Sequence, residues 1–207
     1  MFEKKTFKIN ALNFFDLSLD IYKFESIAKL VSKKYLLPSF SNLLEEEEFA
    51  KVYIAYASDG IYLHFEINAP FTKGSMQETS KGDLIEIFID SRALKTKGYL
   101  TKYSHHFVFV ADEEFGNEVT RFKFDDMHDI CDRKFLKADS IIKPEKYMMT
   151  IKIDKDAIYG FNPKETKFLS FCYQINRYLL PNQTLNISSQ EHKIEKSPHL
   201  WAKLNFK

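Results

Sequence analysis

The segment VYIAYASDGIYLHFEI, residues 52–67, decides the fold class. Its central Asp59-Gly60 pair tolerates the backbone conformations of a tight turn, and β-branched and aromatic residues stand on both sides of it. After the turn, every second residue from Ile61 to Ile67 is apolar, which is the pattern of a strand with one buried face. The segment therefore predicts a β-hairpin.

Short strand-like runs recur along the rest of the chain. We predict further strands at residues 84–90, 106–111, 119–124, 147–153, 168–175 and 200–206. Charged or turn-forming segments such as DEEFGNE and KPEK separate these runs, and no long helical pattern lies between them. Many short strands of this kind indicate an all-β fold, a sandwich or a barrel.

One helix is predicted near the start of the chain, with Asp20 as its cap and Pro38 as a block to its extension. Its apolar stripe would consist of Ile21, Phe24, Ile27, Ala28 and Val31. A single helical turn is predicted at residues 156–159, ending at Gly160. We therefore divide the chain into a helical N-terminal elaboration, residues 1–50, and a β-sandwich domain, residues 51–207.

Composition narrows the functional classes. The 207 residues include 30 basic and 29 acidic ones, and the net charge of +1 predicts no general attraction to nucleic acid or to anionic membranes. Cys131 and Cys172 lack a CxxC spacing, so we predict reduced thiols and no zinc site. Because the sequence shows neither a signal-peptide pattern nor a membrane-spanning run, we expect a soluble, cytoplasmic protein.

A second segment, SKGDLIEIFIDSR at residues 80–92, contains the most informative single side chain. Glu86 stands in the middle of a run that is otherwise apolar enough for a core. A buried carboxylate without a partner costs several kcal/mol, so Glu86 must face water, pair with a cation or line a site. Alternation places Glu86 opposite in direction to Ile85 and Ile87.

The order of these pieces resembles a known family. The hairpin is followed by GDLIEIFIDSR, HHFVFVADEEFG, YMMTIKIDKDAIYGFNP, FLSFCYQINR and a closing SPHLWAKLNF. From about Val52 onward, this order resembles the family 9 carbohydrate-binding modules and the wider DOMON-like superfamily. The resemblance implies a single antiparallel β-sandwich of the jelly-roll type. It also implies a non-catalytic module that binds a carbohydrate or a related polyol on the concave face of one sheet.

The resemblance implies a ligand-binding set as well. Glu86 and Gln174 match polar positions of the family's sugar site, and we expect Arg177 to assist from the end of the strand. The sugar-binding members clamp their ligand between tryptophans, whereas this chain has a single one, Trp201, which matches a structural position. Ser80 and Glu195 fall near the positions of the clamp.

Other interpretations remain open at this point. Glu86 would be structural if it paired with Arg121 or Arg177. Asp59, Asp83 and Asp90 could hold structural calcium, but turn aspartates bonded to the backbone are the preferred interpretation, and we predict no cofactor.

Two further functions deserve a test against the structure. If Phe107 and Phe109 lie exposed on an open face, the domain would be a protein-interaction scaffold. Met76 together with His105 or His106 could instead bind haem, although adjacent strand residues point to opposite faces. Catalytic signatures are missing, and Glu86 and Asp90 would lie about 13 Å apart along one strand, too far for a glycosidase pair, so we predict no enzyme.

Overall fold

The computed structural model describes residues 16–74, 81–188 and 191–207, and this part of the chain is mostly strand. The strands are β1 (Ser18–Lys23), β2 (Ala50–Ala57), β3 (Gly60–Ile67), β4 (Leu84–Asp90), β5 (Ser104–Phe109), β6 (Asn117–Glu118), β7 (Leu136–Lys143), β8 (Lys146–Asp154), β9 (Phe168–Asn176), β10 (Gln183–Thr184) and β11 (Ala202–Phe206). Two single-turn helices, α1 (Ile27–Leu30) and α2 (Ser41–Leu44), and four 3₁₀ turns, Arg133–Phe135, Lys155–Ala157, Ile194–Lys196 and Pro198–Leu200, complete the described elements.

The strands form two stacked layers. The front layer has the order β6-β5-β4-β9-β11, with β10 beside β9, and the back layer has the order β2-β3-β8-β7. Strand β1 joins the layers, because Ser18–Ile21 pairs with β11 and Tyr22–Lys23 pairs with β2. Both pairings of β1 are parallel, whereas the other strands pair antiparallel. The predicted β-sandwich is confirmed.

The N-terminal region differs from its prediction. Asp20 lies within strand β1 instead of capping a helix, and only the four residues of α1 are helical there. The predicted apolar stripe is not buried as a unit, since Ile27 is 55% exposed while Ile21 enters the core from β1. The helical elaboration is therefore minor. Because β1 lies between β11 and β2, the predicted boundary at residue 50 does not coincide with a break in the sheet.

The hairpin of β2 and β3 is confirmed, with Ala57 opposite Gly60, and the helical turn after β8 forms at Lys155–Ala157. Gly60 adopts a φ of +142°, and a Cβ atom there would lie 2.1 Å from the carbonyl oxygen of Ile153, so only glycine fits. The predicted strand at 119–124 is wrong, because regular pairing ends at Glu118. The edge strand β7 was missed because most of its side chains are exposed, which leaves no apolar alternation.

The core lies between the two layers. From the front layer it receives alternate residues of β4, β5 and β9, including Ile87, Phe107 and Phe171, and from the back layer residues such as Phe65 and Ile151. Phe107 and Phe109 are completely buried, so the expectation that they form an exposed patch on the open face is wrong. Among the described residues, no helix is long and apolar enough to span a bilayer.

Candidate functional site: a polar cluster on the open face of the front layer

Register places four polar side chains side by side on the solvent-facing surface of the front layer. Glu86 on β4 stands directly opposite Gln174 on β9, and the neighbouring β5 contributes His106 opposite Phe88. Asn176 lies two residues beyond Gln174, hence on the same face of β9. We call Glu86, His106, Gln174 and Asn176 the open-face cluster. Its members are partly buried, and 16% of the Glu86 side chain and 13% of the His106 side chain remain exposed.

Glu86 is the hub of the open-face cluster. Its Oε1 accepts a hydrogen bond from Nε2 of His106 at 3.0 Å, and its Oε2 accepts from the amides of Gln174 at 3.0 Å and Asn176 at 2.9 Å. The Gln174 amide nitrogen also donates to Oδ1 of Asn176 at 2.5 Å. These bonds fix the rotamers of all four side chains, so the cluster presents a preorganised set of donors and acceptors to solvent.

The electrostatics keep Glu86 ionised. Burial by itself would raise the pKa of its carboxyl, but the hydrogen bond and charge of His106, together with the amides of Asn176 and Gln174, lower the pKa below its ordinary value. An ionised carboxylate accepts hydrogen bonds only, and it has lone pairs beyond those used by the three neighbours. The cluster can therefore accept hydroxyl protons from a polar ligand.

Apolar side chains border the open-face cluster on both sides. On one side, the His106 ring stacks on Phe88 at 4.4 Å between centroids, and Phe88 lies against Trp201 at 5.7 Å. Trp201 is completely buried and donates its indole N–H to the carbonyl of Ile194, so it is structural, as the sequence indicated. On the other side, Leu84 and Val108 form a small cluster with Val110, covered by Phe71 and Val119.

The predicted site residues separate into two groups. Glu86 and Gln174 lie together, and the direct bond between them is the centre of the cluster. Arg177 lies apart, because its guanidinium donates to Glu47 and to the Pro181 carbonyl and stacks over the Phe49 ring at 3.8 Å. The alternative pairing of Glu86 with Arg121 or Arg177 is wrong, because the basic partner of Glu86 is His106.

Three residues at this site were missed in the sequence. Asn176 had a usable signal, because it continues the alternation of Gln174 in FCYQINR. His106 was noticed only as a titratable residue. Tyr178 gave no signal, since it follows the strand in a loop; its ring is 41% exposed, and its backbone N–H donates to Asp83 at 2.8 Å. Ser80 and Met76 lie outside the described residues.

A second histidine–carboxylate assembly lies on the opposite face of the same strand. His105, Glu118 and His128 bring their ligand atoms within 4.8 Å of one another, a spacing that a metal ion could occupy. Glu118 Oε1 instead receives hydrogen bonds from His105 Nδ1 at 2.9 Å, His128 Nε2 at 2.7 Å and the Thr120 hydroxyl at 2.7 Å. We call this trio the buried assembly.

Hydrogen bonds within the protein occupy all four ring nitrogens of the buried assembly. The backbone N–H of Tyr159 donates to Nε2 of His105 at 3.0 Å, so the Nδ1 of the neutral His105 ring carries the proton and points at Glu118. Nδ1 of His128 faces the Lys102 carbonyl at 2.7 Å, and its Nε2 faces Glu118 at 2.7 Å.

The remaining candidate ligands are also engaged. Asp90 accepts from the backbone N–H groups of Arg92 and Leu94, as expected for a turn aspartate, and Asp83 accepts from Thr72 and Tyr178. His105 and His106 lie on opposite faces of β5; both ring nitrogens of His105 are hydrogen-bonded, and His106 is bonded to Glu86 through Nε2. Cys131 and Cys172 are free thiols.

The back layer carries a depression of about 510 Å³, which is another candidate ligand site. Tyr62 lies at its floor, with Lys137, Thr150 and Lys152 among the lining residues. Phe24 stacks on the Tyr62 ring at 3.8 Å, and Lys152 lies 5.4 Å from the ring centre. The Tyr62 ring is thus engaged by two contacts within the protein.

The comparisons with known proteins agree with the architecture. Two structures of a carbohydrate binding module family 9 from Caldicellulosiruptor kristjanssonii, in complex with cellotriose and with glucose, each have a TM-score of 0.67 to this chain. They are 12% and 13% identical to it, and each match covers 92% of this chain and 93% or 95% of the other. A putative carbohydrate-binding protein from Bacteroides uniformis has a TM-score of 0.60 at 11% identity, covering 92% of this chain and 99% of that one.

No protein-family model and no curated protein matches the sequence. At identities of 11–13%, the structural likeness establishes the fold: the chain has the β-sandwich fold of the family 9 carbohydrate-binding modules. The resemblance that was inferred from the order of the strands is confirmed at this level. What the chain binds must be argued from its own side chains.

Proposed function

We propose that the protein is a non-catalytic binding module for carbohydrate and that its ligand binds on the open-face cluster. One observation carries the proposal: Glu86, Gln174 and Asn176 form a fixed, partly exposed carboxylate–amide array on a sandwich whose structural neighbours include sugar complexes. Carboxylates and amides are the groups that hold vicinal hydroxyls, because each can engage two of them at once. A sugar therefore fits this array better than an apolar ligand does.

Tyr178 supplies the second requirement of a sugar site. The apolar face of a pyranose stacks on an aromatic ring, and Tyr178 is an exposed ring two residues beyond Asn176. The backbone N–H of Tyr178 donates to Asp83 at 2.8 Å, which anchors the main chain of this residue just beyond β9. In this proposal, Tyr178 partly replaces the tryptophan clamp of the family's sugar-binding members.

The acids on this face are unsuited to glycoside hydrolysis, which supports a binding role. Glu86 has a lowered pKa, whereas a general acid needs a raised one. The next carboxylate on the same strand face, Asp90, has a pKa raised by burial, but it is completely buried and bonded to its own turn. No pair with an acid and a base facing one bond forms here.

Titration calorimetry against a panel of neutral and charged oligosaccharides tests this proposal. We expect at least one glycan to release heat with the wild type, and the Glu86→Gln variant to lose that signal. Glu66→Gln is the matched control, because Glu66 lies on β3 of the back layer, where its carboxylate accepts a hydrogen bond from the Tyr53 hydroxyl. If no glycan binds, or if both variants bind as the wild type does, the proposal fails.

A further inference from the structure

A second pocket continues the open-face cluster beyond His106. It has a volume of about 390 Å³ and is bounded by the loop Gly98–Leu100, the segment Arg121–Lys123 and the turn at Glu195 and Lys196. We call it the cationic pocket, because three of its lining residues are basic, Arg121, Lys123 and Lys196, and one, Glu195, is acidic.

Backbone pairing places the cationic pocket next to the open-face cluster. The Val119 N–H donates to the His106 carbonyl at 2.8 Å, and the His106 N–H donates to the Thr120 hydroxyl at 2.9 Å, so residues 119 and 120 run along the outer edge of β5. Val119 lies with Leu84 and Val108 on the open face, whereas Thr120 bonds the buried Glu118. Arg121, two residues beyond Val119, is exposed and lines the cationic pocket.

The opposite wall of the cationic pocket is linked through Ile194 to the aromatic residues that border the open-face cluster, Phe88 and Trp201. Ile194 receives the indole N–H of Trp201, whose ring lies against Phe88, and Phe88 stacks on His106. Glu195 and Lys196 follow Ile194 directly. Arg121, His106, Glu86 and Gln174 therefore run diagonally across four neighbouring chain segments, because Glu86 pairs with Gln174 and Val108 whereas His106 lies two residues from Val108. The four segments span about 14 Å at the usual strand spacing. A surface of this width accommodates more than one sugar ring.

The charges of this pocket are not neutralised within the described structure. Arg121, Lys123 and Lys196 form no ion pair with a residue that the structure describes, although Lys123 lies 5.3 Å from the Phe124 ring. The nearby acid Asp126 is paired with Lys102 at 3.3 Å. On the adjoining turn, burial, Lys97, His192 and Lys95 lower the pKa of His199, which indicates a positive local potential.

We propose that the carbohydrate bound at this face carries an anionic substituent, a carboxylate or a sulfate, and that the cationic pocket binds it. This inference rests on the proposed function and specifies its ligand class. Hydroxyls of one ring bind Glu86, Gln174 and Asn176, while the anion on the neighbouring ring binds Arg121 and Lys196. Guanidinium binds carboxylate and sulfate with two parallel hydrogen bonds, and the exposed aromatic ring of Tyr99 lines the same pocket.

The experiment compares matched ligands: oligogalacturonate, its methyl ester and a sulfated oligosaccharide, each titrated by calorimetry at low and at high ionic strength. We expect the acidic ligand to bind about tenfold more tightly than its ester at low ionic strength, and the difference to shrink in salt. Arg121→Gln and Lys196→Gln should each remove part of this preference. Lys33→Gln, an exposed lysine of the N-terminal region, should change nothing.

The outcomes separate this inference from the proposed function. Tighter binding of the carboxylate or the sulfate, lost in Arg121→Gln, supports the inference, and the stronger of the two identifies the substituent. Neutral and acidic ligands that bind equally, with Arg121→Gln like the wild type, overturn the inference and leave the carbohydrate-binding proposal standing. If no ligand of any charge binds, both are overturned.

Discussion

His105 and His106 are neighbours in the chain, each bonded to a glutamate, and they have opposite roles. His105 is completely buried among the core residues and belongs to the buried assembly with Glu118 and His128. His106 faces solvent in part and belongs to the open-face cluster with Glu86. The pleat of one strand thus separates a structural polar network from a site with capacity for a ligand.

The two assemblies differ in how their hydrogen bonds are used. Glu118 is completed by donors from the protein, because His105, His128 and Thr120 occupy Oε1 and the Cys131 N–H occupies Oε2. Glu86 has three donors and remains partly exposed. Both assemblies pair a glutamate with a histidine, so the residue types do not distinguish them. The difference is that solvent reaches the Glu86 carboxylate, which makes the open-face cluster the candidate site.

The largest effect should come from breaking the buried assembly. Glu118→Gln replaces the buried carboxylate that accepts from two histidines with a neutral amide, and we expect it to lower the free energy of unfolding by about 3 kcal/mol, as for other buried charged pairs that lose one partner. Urea denaturation followed by circular dichroism measures this change. A loss below about 1 kcal/mol would show that the assembly is no more structural than a surface contact.

The same substitution in the open-face cluster should affect the ligand more than the fold. Because Glu86→Gln keeps the shape and removes the charged acceptor, we expect sugar affinity to fall by at least about tenfold, while the free energy of unfolding changes by about 1 kcal/mol. Calorimetry and urea denaturation of the same sample measure both quantities. If Glu86→Gln destabilises the protein as much as Glu118→Gln does, the contrast between the two assemblies is wrong.

Acid should destabilise the protein through His105, the buried histidine. Burial lowers the pKa of His105, against the opposing effect of Glu118, so the unfolded chain takes up a proton below pH 6.5 while the folded chain does not. The free energy of unfolding should therefore fall as the pH drops from 6.5 towards about 5, by up to about 1.4 kcal/mol per pH unit for this group. Stability curves of the wild type and of His105→Gln measure this contribution, and equal slopes would contradict it.

A separate loss of stability, due to Glu118, should follow at lower pH. Although burial raises the pKa of Glu118, the hydrogen bonds of His105 and His128 lower it overall, so its contribution is complete above the unfolded value of 4.5 and is lost as the pH falls through the folded value. The His105→Gln variant lacks the histidine contribution, so its pH dependence of unfolding isolates the loss that is due to Glu118.

The smallest effect should come from Arg177, the predicted site residue that lies apart from the cluster. Its side chain is 7% exposed and stacks over Phe49, but its ion-pair partner Glu47 is 58% exposed, so Arg177→Gln should cost about 1 kcal/mol of stability. Sugar affinity should change less than about twofold, because no bond of the cluster involves Arg177. A tenfold loss of affinity would contradict this prediction and show that Arg177 contributes to ligand binding.

The sequence predicted the fold where one face of a strand is buried. Strands β3, β4, β8 and β9 alternate apolar and polar residues, and the core they form is the one expected. Strand β7 was not predicted because its edge position leaves no buried stripe. In β1, the spacing of Ile21 and Phe24 fitted a helix equally well, and only pairing with β11 and β2 decided for a strand.

The candidate site could be predicted only for residues whose orientation follows from the alternation of side chains along one strand. Glu86 and Gln174 were found because they lie on regular strands, but their partner His106 depends on the register between β4 and β5. The buried assembly depends on the irregular path that brings His128 back to Glu118, and the cationic pocket depends on three separate segments. Local sequence patterns contain no information on such distant pairings.

The most direct test of the central claim is a chemical-shift map of the ¹⁵N-labelled protein during titration with cellotriose and an oligogalacturonate. We predict that the largest changes occur at the side-chain amides of Gln174 and Asn176, at the imidazole of His106 and around Tyr178. Changes confined to the depression at Tyr62 on the back layer, or spectra that no glycan alters, would contradict the assignment of the open-face cluster as the ligand site.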